Sequence, residues 1–244
     1  MTPGTPNNTH RARWRFAPRP PNFLRMKRTS LFLLVLVSSV AATQPPRAPS
    51  MDPAANALLE RADRGRTLGN VNARVWLVEV SDFQCPYCKQ WHDSTFAAIN
   101  REFIETGLVR MAYVNYPVQG HIHAVAASEA AMCASAQDRF WPLHDRLFKT
   151  QPRWSPMKDT ARVIALFDSL AVASGVNAAE YRSCVSSRVT RRLIRADQDR
   201  SQRAGINGTP HFFVGDEAIS GMAPFEALQQ AILRAAAGSA TRRP

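Results

Sequence analysis

Cys85 and Cys88 stand three positions apart where a strand-like run gives way to a helix-like one, and nothing else in the 244 residues constrains the fold as tightly. Val75-Trp76-Leu77-Val78-Glu79-Val80 is short, β-rich and nearly all apolar, as expected of a strand covered on both faces. Pro86 suits a first helical position, and His92, Phe96, Ile99 and Phe103 then recur at helical spacing until Gly107. Leu108–Val114 reads as a second strand, so residues 75–114 predict a βαβ unit. A cysteine at the start of that helix meets free backbone N–H groups and the positive end of the macrodipole. Both favour the thiolate, which is the species that attacks disulfides. Cys88, one turn on, can reach Cys85 and resolve a mixed disulfide. CxxC also serves zinc, but Cys133 and Cys184 lie 51 positions apart and offer no second pair. Neither a metal nor a cofactor is expected.

The stretch from about 124 to 204 reads as helical throughout. Ala124–Ala136 is Ala-rich and Phe140–Phe148 is amphipathic. Ser155-Pro156 is expected to open a helix that buries Val163, Phe167 and Leu170 and ends at Gly175. Asn177 with Glu180 starts another, and Val189–Ala204, closed by Gly205, is the last. Strands return at His211–Val214 and Ala218–Ser220 around a Gly215-Asp216 turn, and a final helix runs from about Pro224 to Ala236. The order βαβ, helical block, ββα describes a sheet domain with a helical insertion. With 45% hydrophobic and 20% charged residues the chain can bury a sizeable core, which excludes a disordered protein.

The formal charge of +12 is concentrated at one end. Residues 1–42 hold seven Lys/Arg and no acid, leaving 24 basic against 19 acidic residues in the remainder. That surplus is ordinary, and nucleic acid is not an expected partner. Within the basic end, Met26-Lys27-Arg28, the apolar run Leu31–Val37 and Ser38-Ser39-Val40-Ala41-Ala42 give the layout of a secretory signal. The run is too short to span a bilayer. Residues 1–25 fit awkwardly before it, and Met26 is an alternative start. An uncleaved leader would act as a membrane anchor; either way the folded part is expected outside the cytoplasm, in the periplasm or its equivalent. Residues 43–65 read as a Pro-rich tether and short helix.

Glu79-Val-Ser-Asp-Phe-Gln-Cys-Pro-Tyr-Cys, His121-Ile-His-Ala, Gln137-Asp-Arg-Phe-Trp-Pro-Leu-His-Asp-Arg-Leu-Phe and Gly205-Ile-Asn-Gly-Thr-Pro-His-Phe-Phe-Val resemble the DsbA-like thiol–disulfide oxidoreductases, in family order over roughly residues 66–237. The resemblance implies an α/β thioredoxin fold, with an all-helical domain (119–204) inserted between the βαβ half (66–118) and the ββα half (205–238), and a tail at 239–244. It implies Cys85 as nucleophile, Cys88 as resolving thiol, and Glu79 as a buried acid beneath Cys88. Thr209 and a cis Pro210 would face the cysteines and, with Pro86 and Tyr87, bind substrate. The expected activity is disulfide exchange with thiols of secreted polypeptides, most simply net oxidation, by a monomer reoxidised through a quinone-linked membrane partner. A reductase or isomerase, or a redox-silent peptide-binding chaperone, are the alternatives.

Two positions depart from the family pattern. Tyr87 stands where the best-known oxidase has a His, and His211 follows the cis-proline where small or polar residues are usual. Cys133 and Cys184 are either separate buried thiols or, as an oxidising compartment and an even cysteine count favour, a structural disulfide. His121 and His123 read as helix-start or packing residues, and His144 as a packed histidine. Arg188, Arg192 and Arg195, with Asp199 four residues after Arg195, read as a solvated, ion-paired helical face. A carboxylate at Glu79, among Leu77, Val78 and Val80, is costly unless it has a task.

Overall fold

A computed structural model describes residues 52–241; the leader at Met26–Ala42, most of the tether before α1 and the last three residues lie outside this range. The sheet is built on β2 (Val75–Ser81), whose apolar sequence fits its central place. On one side it pairs in parallel with β3 (Val109–Asn115), in register from Val75 opposite Val109 to Ser81 opposite Asn115. On the other it pairs antiparallel with β4 (His211–Val214), which continues through a tight turn into β5 (Glu217–Ser220). A two-residue strand β1 (Thr67–Leu68) adds antiparallel to β3, giving the order β1-β3-β2-β4-β5. Two residues carry no readable periodicity, which is why β1 had no sequence signal.

The helix α1 (Pro53–Gly65) precedes the sheet, with Asp52 accepting the Ala54 N–H at 3.1 Å as its cap. The helix after β2, α2, spans 86–104 and is not uniform. It opens as an α-helix over Pro86–Trp91 and widens into π-helical turns at His92–Phe96 and Asn100–Ile104. The insertion consists of α3 (Ala124–Ser135), α4 (Phe140–Trp154), α5 (Thr160–Ala173), α6 (Ala178–Ser187) and α7 (Arg191–Arg203). The last helix is α8 (Phe225–Thr241).

Several local expectations need correction. α4 runs past Phe148 to Trp154, and Ser155-Pro156 opens no helix; α5 starts where Asp159 accepts the N–H groups of Ala161 (3.0 Å) and Arg162 (3.2 Å). A capping carboxylate outweighed the proline as a start signal. Leu170 is half-buried, flanking the buried row of Val163, Phe167 and Ala171. Arg188 terminates α6 in the left-handed region (φ 53°), so it is not on the helix that carries Arg192 and Arg195. Among the described residues Arg195 and Asp199 form no ion pair. The charge is gathered instead at buried Asp197, which accepts from Arg66, from Arg200 (2.6 Å) and from the backbone and side-chain amides of Asn115 (3.0 and 3.1 Å).

Two large apolar cores result among the described residues, beside a small cluster of Val80, Tyr116 and Ile206. Leu77, Met111 and Phe212 of the sheet pack with Trp91 and Ile99 of α2 and Leu228 and Ile232 of α8. The insertion buries Leu143, Leu147, Phe148, Trp154, Phe167 and Tyr181 around Cys133. Cys133 of α3 and Cys184 of α6 are bonded to each other, with Cα atoms 5.7 Å apart. The bond closes a loop over a separation of 51 residues, for which chain entropy gives about 4 kcal/mol. A Cys133→Ala/Cys184→Ala variant is expected to lose most of that in urea unfolding. An unchanged midpoint would remove the disulfide from the stability of the fold.

Candidate active site

The turn between β2 and α2 is shaped by Asp82. Its carboxylate accepts the Gln84 N–H at 2.7 Å, and its carbonyl accepts the Cys85 N–H at 3.0 Å. Cys85 therefore becomes the cap residue of α2 in extended backbone (φ −69°, ψ 126°), and Pro86, with no N–H to lose, occupies the first turn. From below, Gln151 of α4 donates to the carbonyls of Phe83 (2.7 Å) and Cys85 (3.0 Å). Cys85 keeps 5% exposure and Cys88, one helical turn on, keeps none. Pro86 and Tyr87 between them are exposed.

The loop before β4 closes over this pair. Thr209–Pro210 is a cis peptide, and the Cys85 thiol donates to the Thr209 carbonyl at 3.4 Å. The Thr209 hydroxyl is buried without a hydrogen-bond partner. His211, next in the chain, packs its ring 5.0 Å from Phe213, and burial lowers its pKa; the structure assigns it no further part.

The two thiols are electrostatically unlike. Cys85 falls from the ordinary thiol range to about 6, chiefly through a hydrogen bond from Cys88; Thr209 and the N–H groups of Cys88 and Tyr87 add to this against an opposing desolvation. Cys88 is pushed well up, first by desolvation, then by Cys85, with the charge of Glu79 adding to both. Glu79 lies fully buried on β2, opposite Tyr113 and Phe212, and neither carboxylate oxygen has a hydrogen-bond partner. Desolvation raises it to about 7, only partly opposed by Ser81 and His92. The Ser81 and Tyr113 hydroxyls are also buried and unpartnered. Buried, unpartnered polar groups thus gather on β2 and β3 near enough to Cys88 to act on its thiol.

The arrangement can hold Cys85 as a thiolate near neutral pH while Cys88 stays protonated. Alkylation of the reduced protein is expected to label Cys85 first, its rate rising to half-maximum at about pH 6. Peptide mapping that finds Cys88 labelled first would reverse the two roles.

One group of potential metal ligands exists among the described residues: His92, His144 and Asp145, with one ligand atom from each within 4.8 Å of the others. Both imidazoles already direct a nitrogen to the same Asp145 oxygen, at 3.2 Å from His92 and 2.9 Å from His144. Burial drives His144 down to about 4, whereas Asp145 and Asp93 raise His92 despite its burial. His144 is enclosed by Phe83, Tyr113, Trp141 and Phe148.

Asp82 and Gln151 were missed in the sequence. An Asp two residues before Gln84 is a readable turn signal. Gln151, 66 positions from Cys85, had none.

A family model described as thioredoxin matches residues 61–234. The chain belongs to the thioredoxin family. Within that family, disulfide bond formation protein D of Bacillus subtilis is 26% identical over 166 residues, spanning 68% of this chain and 74% of the relative. A probable disulfide bond formation protein D of Bacillus anthracis is 27% identical over 172 residues, spanning 68% and 76%. The crystal structure of oxidised BdbD from Bacillus subtilis superposes with a TM-score of 0.64 at 27% identity, covering 72% of this chain and 95% of that one. DsbA of Chlamydia trachomatis, at 18% identity and a TM-score of 0.60, shares the fold. This thioredoxin-family chain is a DsbA-like protein thiol–disulfide oxidoreductase with an inserted helical domain.

Proposed function

We propose that the protein is an exported oxidase that introduces disulfides into secreted polypeptides. A substrate thiolate attacks Cys85 of the Cys85–Cys88 disulfide, Cys88 leaves, and the substrate's second thiolate resolves the mixed disulfide. The extended substrate lies against Thr209 and Pro210, flanked by Pro86 and Tyr87. The reading is carried by the difference between the two thiols: a Cys85 thiolate stabilised to about 6 favours the reduced enzyme, which makes its disulfide the stronger oxidant. The leader pattern at Met26–Ala42 and the Cys133–Cys184 bond support export. No helix among the described residues is long and apolar enough to cross a membrane. The enzyme acts as a monomer, and a quinone-linked membrane partner restores its disulfide.

Redox titration of Cys85–Cys88 against glutathione tests the direction. A potential above about −230 mV is expected. One at or below that of thioredoxin, about −270 mV, would overturn the oxidase reading in favour of a reductase.

A further inference from the structure

Tyr87 leaves the active turn without an imidazole of its own, yet the fold brings one to it from 33 residues beyond Cys88. His121 lies on the segment between β3 and α3, just after Gly120, whose φ of 92° turns the chain. Its Nδ1 is 2.6 Å from Asp82 Oδ2. The same fully buried carboxylate accepts the Val118 N–H at 2.9 Å and the Gln84 N–H at 2.7 Å, while the Asp82 carbonyl accepts the Cys85 N–H. One residue therefore fixes both the backbone of Cys85 and the imidazole. A second tie joins the same two segments, from the His123 N–H to Gln84 Oε1 at 2.7 Å. The His121 side chain keeps 28% exposure, so its imidazole is partly open to solvent.

We propose that His121, held by Asp82, is a cationic positioning residue that stabilises the Cys85 thiolate of the reduced enzyme. The proposal rests on Cys85 being the attacking cysteine. The charged groups that act on His121 among the described residues are Asp82 and Cys85, and both favour its protonated form, Asp82 first, against a desolvation that opposes it. Coupling between two sites is reciprocal. The imidazolium must lower Cys85 by as much as the thiolate raises His121. Oxidation of a substrate dithiol passes two electrons and two protons to the enzyme. The enzyme disulfide breaks, one proton ends on Cys88, and Cys85 remains a thiolate. The other proton goes to His121 in the molecules where the imidazole was neutral, and to solvent in the rest.

Two measurements test this on the full chain. NMR titration of the His121 ring is expected to give a higher pKa in the dithiol form than in the disulfide form. His121→Gln keeps an N–H donor for Asp82 but no charge. Its Cys85 pKa, followed by thiolate absorbance, is expected to rise by about half a unit to one unit, an effect reduced by solvent exposure. Alkylation of Cys85 below its pKa then slows about three- to tenfold. A structural role alone would move neither reading. Equal His121 titration in the two redox forms overturns the proposal, and does so even if the variant fails to fold. A low Cys85 pKa that is unmoved in His121→Gln overturns it while leaving the attacking role of Cys85 intact. A wild-type Cys85 that titrates in the ordinary thiol range overturns that role and the proposal with it.

Discussion

Cys85→Ser and Cys88→Ser are each expected to lower oxidation of a peptide dithiol by on the order of a thousandfold or more, because either change removes the Cys85–Cys88 disulfide that such an exchange requires. The two variants should part company with a disulfide-bearing substrate. Cys88→Ser keeps a hydroxyl that can donate to Cys85, so the Cys85 thiolate still attacks; the mixed disulfide then accumulates because nothing resolves it. Cys85→Ser should trap nothing, since the remaining thiol is fully buried and pushed well above the ordinary range. Non-reducing gels and mass spectrometry separate these outcomes. Adducts on Cys88 in Cys85→Ser would show that the buried cysteine reaches substrate unaided.

Glu79→Gln is expected to slow the step in which Cys88 gains or loses its proton by about a hundredfold, the lower part of the range for general acid–base catalysis. Cys88 is sealed from solvent, and Glu79, raised to about 7, can exist in either protonation state at the working pH. On this reading it would supply the proton that the departing Cys88 thiolate needs in the oxidising direction, and would accept it in reverse. First attack at Cys85 should be nearly unchanged. Stopped-flow separation of attack from resolution checks this; equal resolution rates would take Glu79 out of the mechanism. The same substitution has a thermodynamic signature. Glu79 binds its proton more tightly in the folded chain, at about 7, than in the unfolded chain, at about 4.3. Between those values the folded state holds the extra proton, so stability falls as pH rises. Above pH 7 the accumulated cost is about 4 kcal/mol. Glu79→Gln is therefore expected to be as stable as wild type in acid and more stable above neutrality.

Much of this was legible because local chemistry and global fold agree. Cys85-Pro86-Tyr87-Cys88 sits at a strand-to-helix junction, and Asn177 caps α6 by accepting from Ala179 and Glu180 as its type and spacing suggest. Glu79 was conspicuous as a carboxylate in an apolar strand. Where the reading failed, competing signals or distance were responsible. Asp159 overrode Ser155-Pro156, and the extra residues in the π turns of α2 left its apolar spacing still looking helical. The partnership of His121 with Asp82 joins positions 39 apart, so only the folded chain brings them together.

Gln151 bears on how separable the two halves of the molecule are. It belongs to the inserted helices, yet its amide satisfies two carbonyls of the turn that presents Cys85, and Phe83 of that turn packs its ring against Phe140 and Phe148 of the same helix. The insertion is thus a structural wall of the redox centre and no detachable accessory. Splicing β3 directly to β4 would not yield a minimal thioredoxin, because it would take the Gln151 amide from the Phe83 carbonyl, leave the Cys85 carbonyl only the Lys89 N–H, and strip the aromatic bed from under the reactive turn. Diversification of this scaffold is then freest on the outward faces of the inserted helices, while the helix that carries Gln151 must change together with the turn it supports.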